Sequence, residues 1–333
     1  MATIGSSFLT LSDWAKRMDS NGKSDKVIEI LSQTNEILTD AVFVEGNLPT
    51  GHKTTVRTGL PTATWRLLNY GVPTSKSTTA QVIDTCGMLE SYSEVDKSLA
   101  DLNGNTGDFR LSESKASLAS MNKEMANMLF YGNTAANPAG FLGLAPRYNS
   151  LSAENGRMII DAGSTSQGVN TSIWVVVWGD NTCHGIFPKG SKAGIQQKDL
   201  GEVTLEDANG GKYQGYRSHF KWDIGLTLRD WRYVARVANI DVSTLGNAGT
   251  ATYTGPEIVN LLVKATNQIE SLSMGKAAIY CNRDIKTALD LLVINKGNVN
   301  LTISDYAGTQ TTMFRGVPIR CCDALLNTEE LVV

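Results

Sequence analysis

Histidine and cysteine are the residue types in this sequence with the most obvious catalytic and metal-binding chemistry. The three histidines, His52, His184 and His219, include no two at the helical spacing of metal ligands. Cys183 directly precedes His184, but neighbouring residues on a strand point to opposite faces, so we do not expect a catalytic pair. Five cysteines with no Cys-x-x-Cys pair favour buried free thiols. The sequence therefore predicts no catalytic residue, no metal site and no cofactor.

Residues 185–192 are the nearest approach to a phosphate-binding loop. Such a loop needs Lys directly after its second Gly and then Ser or Thr, whereas here Ser191 precedes Lys192. Pro188 also removes a backbone amide donor from the loop. The pattern indicates an ordinary turn.

Residues 216–236 mix aromatic and cationic side chains, which single-stranded nucleic acid could use for stacking and phosphate pairing. Within this stretch Trp231 and Tyr233 alternate with Arg232, the pattern of a half-buried strand. The whole chain has 30 Lys and Arg against 33 Asp and Glu, so its net charge of −3 offers no overall attraction to a phosphate backbone. We therefore favour a sheet over a nucleic-acid site.

Composition limits the class of protein further. The chain has 333 residues, of which 41% are hydrophobic, enough for a substantial core in one large or two small domains. The longest apolar run, residues 174–178, is far short of the roughly 18 residues that span a bilayer. The first residues lack a basic segment followed by an apolar one, so they do not resemble a secretory signal. We expect a soluble protein that folds in the cytoplasm.

Residues 46–83 form the most unusual stretch because they include no acidic residue. We expect a hairpin there, with strands at 52–58 and 63–70 around a Gly/Pro turn. The first strand has Val56 as its single apolar residue, and a two-stranded ribbon of this kind needs a partner surface to be stable. Two interpretations remain: a solvated surface hairpin, or an arm that lies on a neighbouring subunit.

An arm would use its own side chains as contacts. Lys53, Arg57 and Arg66 are the candidates for intersubunit ion pairs, and Trp65 and Leu67 are the candidate apolar anchors. Candidate acidic partners for these cations are Glu90, Glu94, Asp96 and Asp101.

A long helix is predicted at residues 111–131. Leu111, Leu118, Met121, Met125, Met128 and Leu129 recur at helical spacing, Ser112 and Glu113 suit its start, and Gly132 suits its end. The methionines could form an adaptable groove, but this spacing favours a core face. Further helices are predicted after Pro256 and after Asn282, and strands at 172–178, 277–281 and 313–320. The fold class is α+β without internal repeats.

Residues 48–61, continued by 65–71, resemble the extended loop of major capsid proteins from short-tailed bacteriophages of the epsilon-fifteen type. Residues 84–90, 94–97, 129–134 and 141–144 resemble the strand, spine helix and following loop of the same family. The likeness is strongest from residue 48 to residue 146.

This resemblance implies the Hong Kong phage-type capsid fold. Its parts would be an N-terminal arm at 1–42, an extended loop hairpin at 43–80, a peripheral domain at 81–150 with the spine helix at 111–131, an axial domain with the remaining peripheral strands at 151–300, and a C-terminal return strand at 301–333. It implies a structural protein, not an enzyme, that assembles through pentamers and hexamers into an icosahedral shell around double-stranded DNA.

The resemblance also implies partners. These are further copies of the chain, scaffolding, portal and cementing or decoration proteins, and packaged double-stranded DNA held by non-specific contact, with no membrane partner. Assembly in the host bacterial cytoplasm, maturation of a procapsid and residence in the virion capsid follow. Two alternatives stay open: a non-viral compartment shell of the same fold, and a soluble enzyme of an unrecognised family, which would need several carboxylates around one cleft.

Overall fold

The computed structural model describes residues 35–104, 106–207, 209–244, 255–294, 301–306 and 309–333. Most of the expected N-terminal arm, and Gly297 beyond the helix that follows Asn282, lie outside the described residues. Among the described residues, no helix is long and apolar enough to cross a membrane.

Strands dominate the chain, and the helices pack against them. The helices are α1 (Ile37–Asp40), α2 (Lys97–Ala100), α3 (Thr106–Tyr131), α4 (Gly255–Gln268) and α5 (Arg283–Ile294). The strands are β1 (Phe43–Glu45), β2 (Gly51–Gly59), β3 (Thr78–Asp96), β4 (Ile159–Asp161), β5 (Asn170–Trp178), β6 (Cys183–Phe187), β7 (Gln196–Glu206), β8 (Lys212–Leu228), β9 (Val234–Asp241), β10 (Lys276–Cys281), β11 (Leu301–Tyr306), β12 (Thr309–Phe314) and β13 (Val317–Cys321). The predicted strands at 172–178 and 277–281 and the helices after Pro256 and Asn282 are confirmed.

One sheet connects all thirteen strands of the described residues. Its main path runs β11-β12-β13-β10-β5-β6-β8-β3-β2, while β7 pairs with β8, β9 pairs with β5, β4 pairs with β9, and β1 pairs with β6. Strand β5 is buried along its whole length because β10 and β9 both flank it and helices cover the sheet. Its unbroken apolar run is the sequence pattern that such a doubly covered strand requires.

Helix α3 joins two parts of the fold. Met121, Met125 and Leu129 are buried in the main core, as the stripe predicts. The helix begins at Thr106, before Ser112 and Glu113, and Leu111 is 55% exposed, so both of those expectations are wrong. The first turns lie beyond the main core and bury a different residue, Phe109, in a small cluster with Val95, Leu99 and Ala100.

The end of α3 is as predicted, at Gly132. The Gly132 amide donates to the Met128 carbonyl at 2.9 Å, and the Gly132 carbonyl accepts from Gly143 at 2.8 Å. A Cβ at Gly132 would lie 2.5 Å from the carbonyl oxygens of Met128 and Phe141, so only glycine allows this close approach.

The acid-free hairpin exists, but its second strand is not the predicted one. Strand β2 pairs antiparallel with the first residues of β3, from Gly51 opposite Thr85 to Gly59 opposite Thr78. Residues 60–77, which we call the hairpin tip, contain no strand, and all of them are exposed. Two adjacent leucines, at 67 and 68, interrupt the alternation of apolar and polar residues that a strand would show. A turn follows, in which the Tyr70 amide donates to the Leu67 carbonyl at 3.2 Å. These features break the strand expected at 63–70.

Three shorter expectations have mixed outcomes. Residues 216–228 and 234–236 belong to β8 and β9, as the sheet interpretation predicts, but Trp231–Tyr233, whose alternation suggested a half-buried strand, form a short 3₁₀ helix. Residues 313–320 are not one strand: Arg315 and Gly316, both with positive φ, turn the chain between β12 and β13. The ordinary turn predicted at 185–192 is present at 188–191, where Ser191 donates to the Pro188 carbonyl at 3.0 Å, whereas residues 185–187 belong to β6.

Candidate subunit interface

The hairpin tip exposes large apolar side chains. Trp65 is fully exposed and Leu67 is 73% exposed, so neither of these predicted anchors contacts the core of its own chain. Leu60, Leu68 and Tyr70 are exposed to a similar degree. Sequence reasoning missed Leu68 and Tyr70 because a strand at 63–70 would have turned them to the face opposite Trp65 and Leu67. Leu60 lay outside that strand, in the predicted turn. An exposed apolar patch of this kind is typical of a surface that another protein covers.

The cations of the hairpin are also without acidic partners. Lys53, Arg57, Arg66 and Lys76 are exposed, and no ion pair among the described residues includes any of them. Asn47 holds only the backbone of Lys53, accepting from its amide at 2.7 Å and donating to its carbonyl at 2.8 Å. The hairpin therefore presents positive charge and apolar surface together.

The four acids considered as partners are already engaged within their own chain. Each accepts a hydrogen bond or pairs with a cation: Glu94 with Arg217 at 2.6 Å, Glu90 with His219 at 3.1 Å, Asp96 with the Ser98 amide at 2.7 Å, and Asp101 with the Thr106 hydroxyl at 2.8 Å. A neighbouring arm would have to compete with these contacts.

The root of the hairpin is fixed by a buried ion pair. Asp84, which lies opposite His52 in the ladder, accepts from Arg147 at 2.8 Å, and both side chains are nearly buried. Arg147 also donates to the carbonyls of Leu142 and Leu226 at 3.2 Å and 3.0 Å. The guanidinium thus ties β3 to β8 and to the loop after α3, and the hairpin leaves the body from a rigid base.

Two buried histidines lie beside this root. His52 and His184 have ring centroids 5.8 Å apart, and Arg229 Nη2 lies 3.0 Å from His52 Nε2. Burial and the Arg229 charge lower the pKa of His52, and burial with the Arg229 and His52 charges lowers the pKa of His184 to about 4. Both rings are neutral at neutral pH, and because arginine can only donate, His52 Nε2 is the acceptor.

Catalysis has no basis in these groups. Burial raises the pKa of the Cys183 thiol to about 12, so the thiol beside His184 stays protonated and unreactive. Two of the cavities on the described surface each contain one carboxylate, Glu124 in a cavity of about 220 Å³ and Asp84 in one of about 470 Å³. Among the described residues no group of three or more His, Cys, Asp or Glu could hold a metal ion. Neither of these two cavities is the cleft lined by several carboxylates that an enzyme would need.

Comparison with known proteins identifies the family of the chain and a structural relative that covers its whole length. The family described as Major capsid protein GP7 matches residues 19–333. The structure of bacteriophage Epsilon15 is 40% identical to this chain, covers 100% of it and 99% of its own length, and superposes with a TM-score of 0.77. No curated protein matches the chain.

Two other solved structures are more distant. The bacteriophage JBD30 capsid is 8% identical over 90% of this chain and 95% of its own, with a TM-score of 0.47. The holo-SrpI encapsulin complex of Synechococcus elongatus is 10% identical over 73% of this chain and 100% of its own, with a TM-score of 0.43. Neither structure is similar enough to bear on the function of this chain, for which the family match and the similarity to Epsilon15 are the relevant findings.

Proposed function

Because the chain belongs to the Major capsid protein GP7 family, we propose that its acid-free hairpin is the arm by which neighbouring subunits of a bacteriophage capsid hold one another. The protein is a structural subunit of an icosahedral shell with the Hong Kong phage-type fold, it resides in the virion, and it is not an enzyme. The arm is β2, the beginning of β3 and the hairpin tip between them.

The observation that carries this proposal is the surface of the hairpin tip. A fully exposed Trp65 beside exposed Leu67 would be unfavourable in a free subunit, since apolar surface is excluded from water wherever a partner can cover it. Lys53, Arg57 and Arg66 belong to the same hairpin and have no acidic partners among the described residues. An apolar centre with a charged rim is the usual composition of a protein interface. These five residues are the proposed contact set.

The division into parts extends the same proposal. Strand β3 with α3 would form the peripheral domain of residues 81–150. Within 151–300, β7 and β8 would be the remaining peripheral strands, and β5, β9 and β10 with α4 and α5 would form the axial domain. The segment 301–333 would be the C-terminal return. In support, β13 pairs in parallel with β10, which makes this return a part of the axial sheet.

The finer partners follow from a capsid role. We propose that the subunits assemble through pentamers and hexamers in the host bacterial cytoplasm, with scaffolding, portal and cementing or decoration proteins as further partners. The net charge of −3 leaves only local, non-specific contact with the packaged double-stranded DNA.

A charge-reversal experiment tests the arm. The triple variant Lys53→Glu, Arg57→Glu and Arg66→Glu is compared with wild type and with Lys212→Glu, which reverses an exposed cation on β8. Shell formation is measured by electron microscopy and sedimentation, and folding by circular dichroism. We expect folded triple-variant subunits that do not form shells, while Lys212→Glu assembles. Normal shells from the triple variant would refute the arm.

A further inference from the structure

The smaller cavity, of about 220 Å³, lies between β3, α3 and the loop that follows α3. Met125 and Met128 of the helix line it, together with Met88 of the strand and Phe141 of the loop. Methionine side chains are flexible and polarizable, so a pocket that they line can adapt to an aromatic ring. An apolar cavity of about 150 Å³ already accommodates benzene, so this one has room for a two-ring indole.

Glu124 lies at the edge of this cavity. Its side chain is exposed, and no hydrogen bond or ion pair connects it to another described residue. Met88, beside it, is 69% exposed. The mouth of the cavity thus combines an apolar floor with one unpaired negative charge.

The hairpin tip carries the complementary arrangement. Trp65 is the fully exposed aromatic residue of the tip, and Arg66 follows it directly as an exposed cation without an acidic partner among the described residues. A buried indole also needs an acceptor for its N–H, which a carboxylate at the cavity edge can supply. Size, polarity and charge therefore match between Trp65 with Arg66 and the cavity with Glu124.

The chain does not fill this cavity with its own tip. The cavity borders β3 at residues 87–89, whereas the tip ends at residue 77, before the first residue of the same extended strand. Nine residues of strand span about 30 Å. The Asp84 to Arg147 ion pair fixes the strand to the body between these two points, and Trp65 is fully exposed. A second copy of the chain can therefore supply the occupant.

We propose that Trp65 of one subunit inserts into the cavity between β3 and α3 of a neighbouring subunit, and that Arg66 pairs with Glu124 of that neighbour. This assignment rests on the proposed role of the hairpin as an intersubunit arm, and names the surface that receives it. Each subunit gives one tip and receives one, so the contact repeats around the shell.

A charge exchange tests the assignment. Arg66→Glu and Glu124→Arg are made singly and together, and the concentration of subunit needed for shell assembly is measured by light scattering and electron microscopy. Each single variant places like charges together, and we expect it to need a higher concentration than wild type. The double variant restores opposite charges and should assemble better than either single variant. Arg57→Glu with Glu124→Arg is the matched control, and we expect no recovery from it.

Removal of the anchor gives the second measurement. Trp65→Ala should raise the concentration needed for assembly by about 30-fold or more, the effect of losing a central interface residue. The thermal midpoint of the free subunit should not change, because Trp65 contacts no core residue.

The outcomes separate this inference from the proposed function. If Trp65→Ala and Arg66→Glu fail to assemble while Glu124→Arg assembles normally, the arm stands and the cavity is not its receptor. The cavity is also ruled out if the double variant assembles no better than the single ones. If Trp65→Ala and Arg66→Glu both assemble as wild type, the arm itself is refuted.

Discussion

Replacement of Glu329 should destabilise the subunit although the residue is far from any proposed contact. Its carboxylate and the Arg236 guanidinium form an ion pair at 2.8 Å, and both side chains are about 95% buried. Arg236 also donates to the Ser172 hydroxyl at 3.0 Å and to the Tyr148 carbonyl at 2.7 Å. The hydroxyls of Ser172 and Tyr131 donate to Glu329, and burial together with the Glu329 charge raises the pKa of Tyr131, so its hydroxyl remains a donor.

The size of the expected loss of stability follows from the buried groups that lose Glu329 as a partner. In Glu329→Gln the guanidinium stays buried without a counter-charge, and loss of one partner of a buried pair costs about 3–5 kcal/mol. In Glu329→Ala two hydroxyls lose their acceptor as well, which adds about 1 kcal/mol for each. At about 2 °C per kcal/mol for a chain of this size, the glutamine variant should unfold roughly 6–10 °C below wild type.

Calorimetry and urea unfolding of the unassembled subunit measure this loss. Glu330→Gln is the control, because its exposed neighbouring carboxylate should change stability by no more than about 0.5 kcal/mol. Arg236→Met combined with Glu329→Leu removes both charges and should be more stable than Glu329→Ala. A glutamine variant within about 1 kcal/mol of the control would show that the pair does not hold the C-terminal segment, and would refute the reasoning.

Two further predictions concern the same subunit. The pKa of His184 is lowered to about 4, so below pH 6.5 the unfolded chain binds a proton that the folded chain does not. The free energy of unfolding should therefore be full above pH 6.5 and fall by about 3 kcal/mol towards pH 4. Urea midpoints measured across this range should show a smaller fall in His184→Gln. Met125→Ala should cost about 2–5 kcal/mol and Leu111→Ala less than about 1 kcal/mol in the same assay, because only Met125 is buried; equal losses would contradict the observed burial along α3.

Local patterns in the sequence predicted the elements that carry their own signal. The apolar run of β5, the helix that ends at Gly132 and the capping residue Asn282 are each defined within a few neighbouring residues. The second strand of the hairpin was misplaced because residues 63–70 have strand-forming residue types. In the structure β2 pairs instead with residues 78–85 of β3, the strand that continues into the body of the subunit. The strand propensity of a short segment has less influence than pairing with a long strand that is anchored in the core.

The contacts between distant residues had no signal in the sequence. Arg229 and His52 are 177 positions apart, and Arg236 and Glu329 are 93 apart, so no spacing rule connects them. The interface candidates, in contrast, could be predicted from the sequence. Trp65 and Arg66 belong to a stretch whose composition cannot form a core, and that is visible without any fold.

The topology of β5 has a consequence for the order of synthesis. This nine-residue strand, whose residues 173–178 are all apolar, leaves the ribosome before β9 and β10, its two flanking strands. It also leaves well before Glu329, whose amide donates to the Asn170 carbonyl at 2.9 Å. Until those segments emerge, the nascent chain carries an uncovered strand with both edges unpaired, the form most prone to associate with other chains. A virus that makes many copies at once would therefore expose many such unpaired strands to one another during translation, before any shell contact forms.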